Sequence, residues 1–255
     1  MKSSIIVASL VLICSMLSFA ETIRISSSEW PPWNSKHLIG YGITSEIVSD
    51  AFSKQQVRVE YYYQSNWSDA YRFAKDGRYD ASVSWIYTDE RAKEFIYSSP
   101  ISYASNHWFY LKSNPKSPFN WDDLGSMKQL TIGVTRGYSY GREVDALRRE
   151  RSVTFQEEGT DLENFRKLLA GEIDLFPSNL CVGYYLLRTS LIDEMMRVAH
   201  SPEPFDVFSL HLIFNRVNPE NPRLAKVFEA GLQELNKGDG IKKKSQKCFY
   251  SLRGR

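Results

Sequence analysis

One phrase occurs twice in this chain and decides its architecture. Residues 72–84 read RFAKDGRYDASVS and residues 167–179 read KLLAGEIDLFPSN. Each is the end of an amphipathic helix closed by a glycine, with Gly-x-x-Asp leading into a short apolar strand. The surroundings repeat as well. Ahead of the first copy lie a strand, TIRISSS, a turn-rich EWPPWNSKHLIGYG, a helix, TSEIVSDAFSKQ, and an alternating strand, VRVEYYY. Ahead of the second lie the strand QLTIGVTRG, the helix SYGREVDALRRER and the strand VTFQEE. Helices and strands that alternate in this order imply mainly parallel sheets with helices on their faces. The chain is therefore expected to form two α/β domains of similar build, not a solenoid. After the second unit, FSLHLIFNR and the helix PRLAKVFEAGLQELNKG have no sheet of their own and are expected to return to the first. Two lobes joined by two crossings leave a cleft, where small ligands bind. The crossings are expected near Leu111–Pro115 and Pro202–Phe208.

The first twenty residues read as a signal peptide. Lys2 gives the positive start, IIVASLVLICSMLSF the apolar stretch, and SFA the small-residue cleavage site, so cleavage is expected after Ala20. Cys14 follows Ile13, where a lipoprotein signal needs a small residue, so a soluble exported chain is expected. No second apolar run has the length of a membrane span. The formal net charge is +2, and no basic run is interleaved with aromatics, which excludes a nucleic-acid partner. The run Lys242 to Lys244 reads as a solvated helix face. Two cysteines outlast the signal peptide, Cys181 and Cys248. In an oxidising compartment an even pair reads as a disulfide, or else as two separately buried thiols. The four histidines, at 37, 107, 200 and 211, form no metal-ligand spacing, and no nucleophile motif is present. No metal and no cofactor is expected.

The stretch SWIYTDERAKEFIYSSPI, Ser84 to Ile101, holds the candidate chemistry. A strand ends at Trp85, the chain turns through Thr88 into a short helix, and Arg91 sits in its first turn. Arg91 is either a solvated helix residue or a guanidinium at the mouth of the cleft, forked onto a carboxylate.

With these phrases in order, namely GITSEIVSDAF, DGRYDASVSWIYTDERAKEFIYSSPI, TIGVTRGYSYG and AGEIDLFPSN, the chain resembles the bacterial solute-binding proteins of the polar amino-acid ABC transporter class, the family 3-type extracellular solute-binding proteins. The most specific part is the Ser-x-x-x-Thr-x-x-Arg corner followed by a Phe-x-x-Ser-x-Pro strand. The resemblance implies an α/β, bilobal periplasmic-binding-protein fold of type II, with a ligand cleft between two lobes. Lobe one is expected at residues 22–110 and 207–255, and lobe two at 111–206. It implies a periplasmic receptor, not an enzyme, that captures a small carboxylate-bearing solute, an amino acid or derivative, for an ABC permease of the inner membrane. The receptor is expected to be monomeric.

Residue by residue, the resemblance implies that Arg91 pairs with the ligand's carboxylate. Ser84 and Thr88 contact the ligand at the same corner, and Trp30 and Trp67 sandwich it. Ser139 supplies a hydroxyl from the second lobe, and Asn179 stands where amino-acid binders carry an acid for the ammonium. Asn179 is neutral, and Ile86 replaces a polar residue common in the family. Both departures favour a carboxylate without an α-amine, or a larger modified ligand. Two other functions share this fold: a periplasmic enzyme such as a cyclohexadienyl dehydratase, and a sensor that reports to a membrane signalling partner.

Overall fold

The Gly-x-x-Asp phrases do the same work in both halves of the molecule. The computed structural model describes residues 21–121, 130–138, 140–150, 153–245 and 248. In the first half, helix α2 (Trp67–Lys75) is capped by Asn66, whose side chain accepts from Asp69 N, and the chain turns through Gly77 at φ 77°. Asp80 then meets strand β1 (Thr22–Ser28): its backbone N–H donates to Arg24 O at 2.9 Å, and its carboxylate accepts from Arg24 N at 2.9 Å. In the second half, helix α5 (Asp161–Ala170) is capped by Thr160 and ends at Gly171, which is left-handed at φ 73°. Asp174 N donates to Thr131 O at 2.8 Å, and the Asp174 carboxylate accepts from Thr131 N at 2.8 Å, on strand β6 (Thr131–Thr135). The glycine supplies a conformation that L side chains resist. The aspartate then locks the next strand into register.

The first lobe is built on β1 flanked in parallel by β2 (Arg58–Gln64) and β3 (Ala81–Trp85). Helix α1 (Ile43–Lys54) covers one face with Ile43, Ile47, Val48, Ala51 and Phe52, a helical stripe that packs into the largest apolar cluster. Short helix α3 (Asp89–Glu94) and strand β4 (Phe95–Tyr97) follow β3. The second lobe pairs β6 in parallel with β7 (Thr154–Glu158), with α4 (Arg142–Glu150) between them. Strand β8 (Phe176–Asn179), helix α6 (Leu180–Ser190) and strand β9 (Val198–His200) complete it. Leu175, next to β8, bridges to Ile132.

Two long strands carry the chain between lobes. Strand β5 (Ser102–Leu111) pairs with β10 (Asp206–Asn215) over Ser102–Asn106, then with β8 over Asn106–Phe109 and β9 over Phe109–Leu111. Strand β10 leaves β5 after Leu210 and joins β3 and β4 from His211 to Asn215. Each strand changes partner midway, so one hydrogen-bonded path runs β2-β1-β3-β10-β5-β8. Phe109 and Leu111 already lie in an apolar cluster with Phe165, Phe176 and Leu187. The crossings therefore occur inside continuous strands. The crossings expected at Leu111–Pro115 and Pro202–Phe208 meet these strands at Leu111, the end of β5, and at Asp206–Phe208, the start of β10.

The tail packs on the α1 side of the first sheet. Helix α7 (Asn221–Lys237) packs Leu224, Phe228 and Leu232 against the α1 cluster. Helix α8 (Gly240–Ser245) follows, and Lys244 is not a solvated residue: it pairs with Glu46 at 2.5 Å and Asp50 at 2.8 Å. Cys181 and Cys248 are joined in a disulfide. It ties the start of α6 in the second lobe to the chain beyond α8. The signal peptide reading falls on residues 1–20, outside the described residues, and no described helix is long and apolar enough to cross a membrane.

Candidate ligand-binding cleft

The first-lobe wall begins with an irregularity in β3. Trp85 pairs with His211 and Ser82 with Ile213, so the ladder slips between them, and Ser84 takes φ 68°. Such a bulge bends the strand and re-aims its side chains. Trp85 donates its indole N–H to Ser82 Oγ at 2.8 Å, and Ser84 turns into the cleft. The Thr44 hydroxyl donates to Trp33 O, so the 2.8 Å contact between Ser84 Oγ and Thr44 Oγ1 has Ser84 as the donor. The lone pairs of Ser84 remain for a ligand.

The corner after β3 aims Arg91. Thr88 caps α3 by accepting from Arg91 N at 3.2 Å. The guanidinium lies over Trp85, 4.9 Å from the ring centroid, and donates from Nη1 to Ile86 O at 3.2 Å. Among the described residues no carboxylate lies within ion-pair distance of it. A stacked, half-buried guanidinium with donors to spare can receive a planar anion. Thr88 itself is not among the residues that line the cavity, because its hydroxyl is used by the cap.

An inner cavity of about 100 Å³ lies in front of Arg91. Trp30, Trp67, Trp85 and Ile86 form its first-lobe side, and Tyr138, Tyr140 and Asp161 its second-lobe side. Asn106, Phe208 and Leu210 of the crossing strands and Ser178 and Asn179 of β8 close it. A wider mouth of about 940 Å³ shares Trp30, Trp67, Arg91, Tyr138 and Asp161. Trp30 and Trp67 do not sandwich a space between them. Their rings meet edge to face at 6.4 Å, and Trp67 meets Trp85 likewise at 5.4 Å, which makes one continuous aromatic wall. The opposing surface comes from Tyr138 and Tyr140 instead. Ser139 lies outside the described residues.

Asn179 lines the cavity but is occupied by the fold. Its Oδ1 accepts from Trp33 Nε1 at 2.9 Å, Cys181 N at 3.1 Å and Val182 N at 3.3 Å, and its Nδ2 donates to Ser105 O at 3.1 Å. It caps α6 and ties it to the Trp33 loop and to β5.

The acid of the cavity is Asp161, at the first turn of α5. It is 8% exposed, and Oδ1 accepts from Thr135 Oγ1 at 2.5 Å. Burial raises its carboxyl pKa to about 6, with the Thr135 bond opposing the shift. Burial also drives the Tyr138 and Tyr140 phenols upward, so both stay neutral. Among the described lining residues Arg91 and Asp161 are the two charged groups, one from each lobe. Sequence reasoning missed Asp161 because Thr-Asp-x-Glu at a helix start reads as capping. None of the four histidines lines the cavity. His107 and His211 are buried and His200 is half-buried, and desolvation holds all three below the usual histidine range. Among the described residues no cluster could hold a metal ion.

The comparisons with known proteins agree with this architecture. The model of the bacterial extracellular solute-binding proteins, family 3, matches residues 23–251. An amino acid ABC transporter substrate-binding protein of Streptococcus pneumoniae bound to L-arginine superposes with a TM-score of 0.71 at 16% identity, covering 92% of this chain and 97% of its own. A histidine kinase sensor domain similar to periplasmic binding proteins gives 0.73 at 18%, covering 89% and 95%. An ancestral amino acid-binding protein, a precursor of cyclohexadienyl dehydratase, gives 0.69 at 17%, also covering 89% and 95%. At these identities the likeness shows the type II periplasmic-binding-protein fold. No curated protein matches the chain.

Proposed function

The chain belongs to the bacterial extracellular solute-binding proteins, family 3, and from that premise we propose that it is a periplasmic receptor, not an enzyme, that captures a small carboxylate-bearing solute for an ABC importer. The solute is an amino acid or a derivative of one. The observation that carries this reading is Arg91: a guanidinium stacked on Trp85, facing the inner cavity, with no acidic partner among the described residues. Fixed donors of that kind recognise a carboxylate with both charge and shape. The fold neighbour that serves an amino acid ABC transporter supports the importer role. We take lobe one as residues 22–110 with 207–255 and lobe two as 111–206, with β5 and β10 carrying the chain between them. Closure by bending at those two strands brings Tyr138, Tyr140 and Asp161 toward Arg91.

Native mass spectrometry of the exported protein, before and after mild denaturation, tests the reading. A bound small acid that leaves on unfolding is the expected result. A retained ligand without a carboxylate overturns it. Steady conversion of that acid into a product returns the chain to the enzyme alternative.

A further inference from the structure

Arg91 has acids close by in the sequence and pairs with no described carboxylate in the structure. Asp89 and Glu90 precede it on α3, and Glu94 follows three residues on. Side chains one or two residues apart do not face each other on a helix, whereas those three apart share a face and pair readily. Glu94 is therefore the carboxylate of α3 placed to compete for the guanidinium. Helix α2 engages it instead. Tyr71 donates its hydroxyl to Glu94 Oε2, and Lys75 Nζ donates to Glu94 Oε1 at 2.7 Å. Both carboxylate oxygens are thus taken. The bonds from Lys75 and Tyr71 hold the Glu94 carboxyl below its ordinary value, so it carries its charge at neutral pH.

The surroundings give that engagement a purpose. The Tyr71 ring packs against Trp85 at 5.3 Å and Phe95 at 5.1 Å, and it lies 6.0 Å from the Arg91 guanidinium. One side chain therefore meets both the platform on which Arg91 stacks and the acid that would neutralise it. Helix α3 has six residues and buries none of them, so its own packing does not fix Glu94. Lys75 lines neither the inner cavity nor the mouth, so it has no place in direct contact with a solute. We propose that Tyr71 and Lys75 are positioning residues that sequester Glu94 on α2 and so keep Arg91 open for the solute's carboxylate. The assignment rests on the receptor reading above and deepens it, because it names what keeps the guanidinium from pairing within its own helix. Even a weak Arg91–Glu94 pair would matter. A solute would have to break it, and affinity falls with the fraction of molecules whose guanidinium is free.

The test screens the proteinogenic L-amino acids, and the carboxylic acids that lack their amines, against the wild type by thermal shift near neutral pH. The tightest of them is the probe for calorimetric titration. Tyr71→Phe keeps the ring and loses the hydroxyl, and Lys75→Met keeps the stem and loses the charge. Each is expected to weaken the probe about fivefold, as the released Glu94 turns to Arg91. Adding Glu94→Gln to either is expected to bring affinity back to within about twofold of the wild type. A purely structural role gives the opposite sign, because the double variants have lost more contacts than the single ones. If neither single substitution weakens the probe, or if Glu94→Gln restores neither, the assignment to Tyr71 and Lys75 fails and the carboxylate receptor stands. If none of these acids binds the wild type, the receptor reading fails and takes this assignment with it.

Discussion

Replacing Arg91 separates a ligand-binding role from a structural one, because the two roles predict opposite patterns. In the ligand-free protein the guanidinium donates to Ile86 O, lies over Trp85 at 4.9 Å and reaches the Tyr71 ring only at 6.0 Å, the limit of such a contact. A partly exposed cation–π contact is worth about 0.5–1 kcal/mol and a net hydrogen bond about 1 kcal/mol. Arg91→Ala should therefore cost the empty protein no more than about 2 kcal/mol, and the melting temperature about 4–8 °C. Binding should suffer far more. Truncating one partner of a buried charge pair costs about 2–5 kcal/mol, a loss of roughly 30- to 5,000-fold in affinity. Arg91→Lys retains the charge but not the planar fork or the stacking, so it should lose most of that affinity too. Calorimetric titration of both variants, beside thermal melts of their empty forms, makes the comparison. A control solute with its carboxylate converted to an amide should be insensitive to the substitution. Wild-type affinity in Arg91→Ala, or a loss of empty-state stability that exceeds the loss in binding, would refute the reasoning.

The raised pKa of Asp161 gives two pH effects of opposite sign. A carboxyl raised to about 6 on folding adds stability that is complete below the usual carboxylate range and is lost as pH rises through about 6. Asp161→Asn should thus stabilise the empty protein at neutral pH by up to about 3 kcal/mol and have little effect at pH below about 4, read by melts across that window. An amine-bearing solute should bind more weakly as pH falls through about 6, because a protonated Asp161 cannot balance its charge. Tyr138 and Tyr140 face Asp161 as neutral phenols, so titrations at several pH values, set beside the same titrations of Asp161→Asn, isolate the contribution of Asp161. Asn179→Asp is expected to lower the melting temperature, not to improve binding. It places a carboxylate oxygen where Nδ2 now donates to Ser105 O, at a cost of about 1–3 kcal/mol. Removing the disulfide by Cys181→Ser with Cys248→Ser should cost about 4 kcal/mol for a loop with a sequence separation of 67, and an unchanged melt under reductant would contradict that.

Local signals in the chain were read correctly where one element was enough to set the outcome. The Gly-x-x-Asp phrases announce two α/β units because a helix end, a left-handed glycine and a strand start are neighbours in sequence. Arg91 was legible for the same reason: strand, Thr88 cap and helix fix its direction within a few residues. Thr88 shows the limit of that reading. Its hydroxyl oxygen accepts from Arg91 N, so the helix start takes it.

What escaped the sequence depends on partners far along the chain. Asn179 is taken up by the fold because Trp33, 146 residues away, donates to it, and no spacing rule links those positions. Asp161 looks like any acid in a first helical turn, where the helix dipole favours it. Only the packing of α5 against β6 and the wall of Tyr138 and Tyr140 buries it and leaves its charge without a counter-ion. The partner changes lie inside β5 and β10, whereas the prolines sit beyond the ends of those strands. Prolines mark where the backbone cannot continue a ladder, but β5 and β10 continue theirs and merely exchange partners, at Asn106 and Leu210. One of those two exchange points, Asn106, also lines the inner cavity, so the strand that changes partner forms part of the wall a ligand meets.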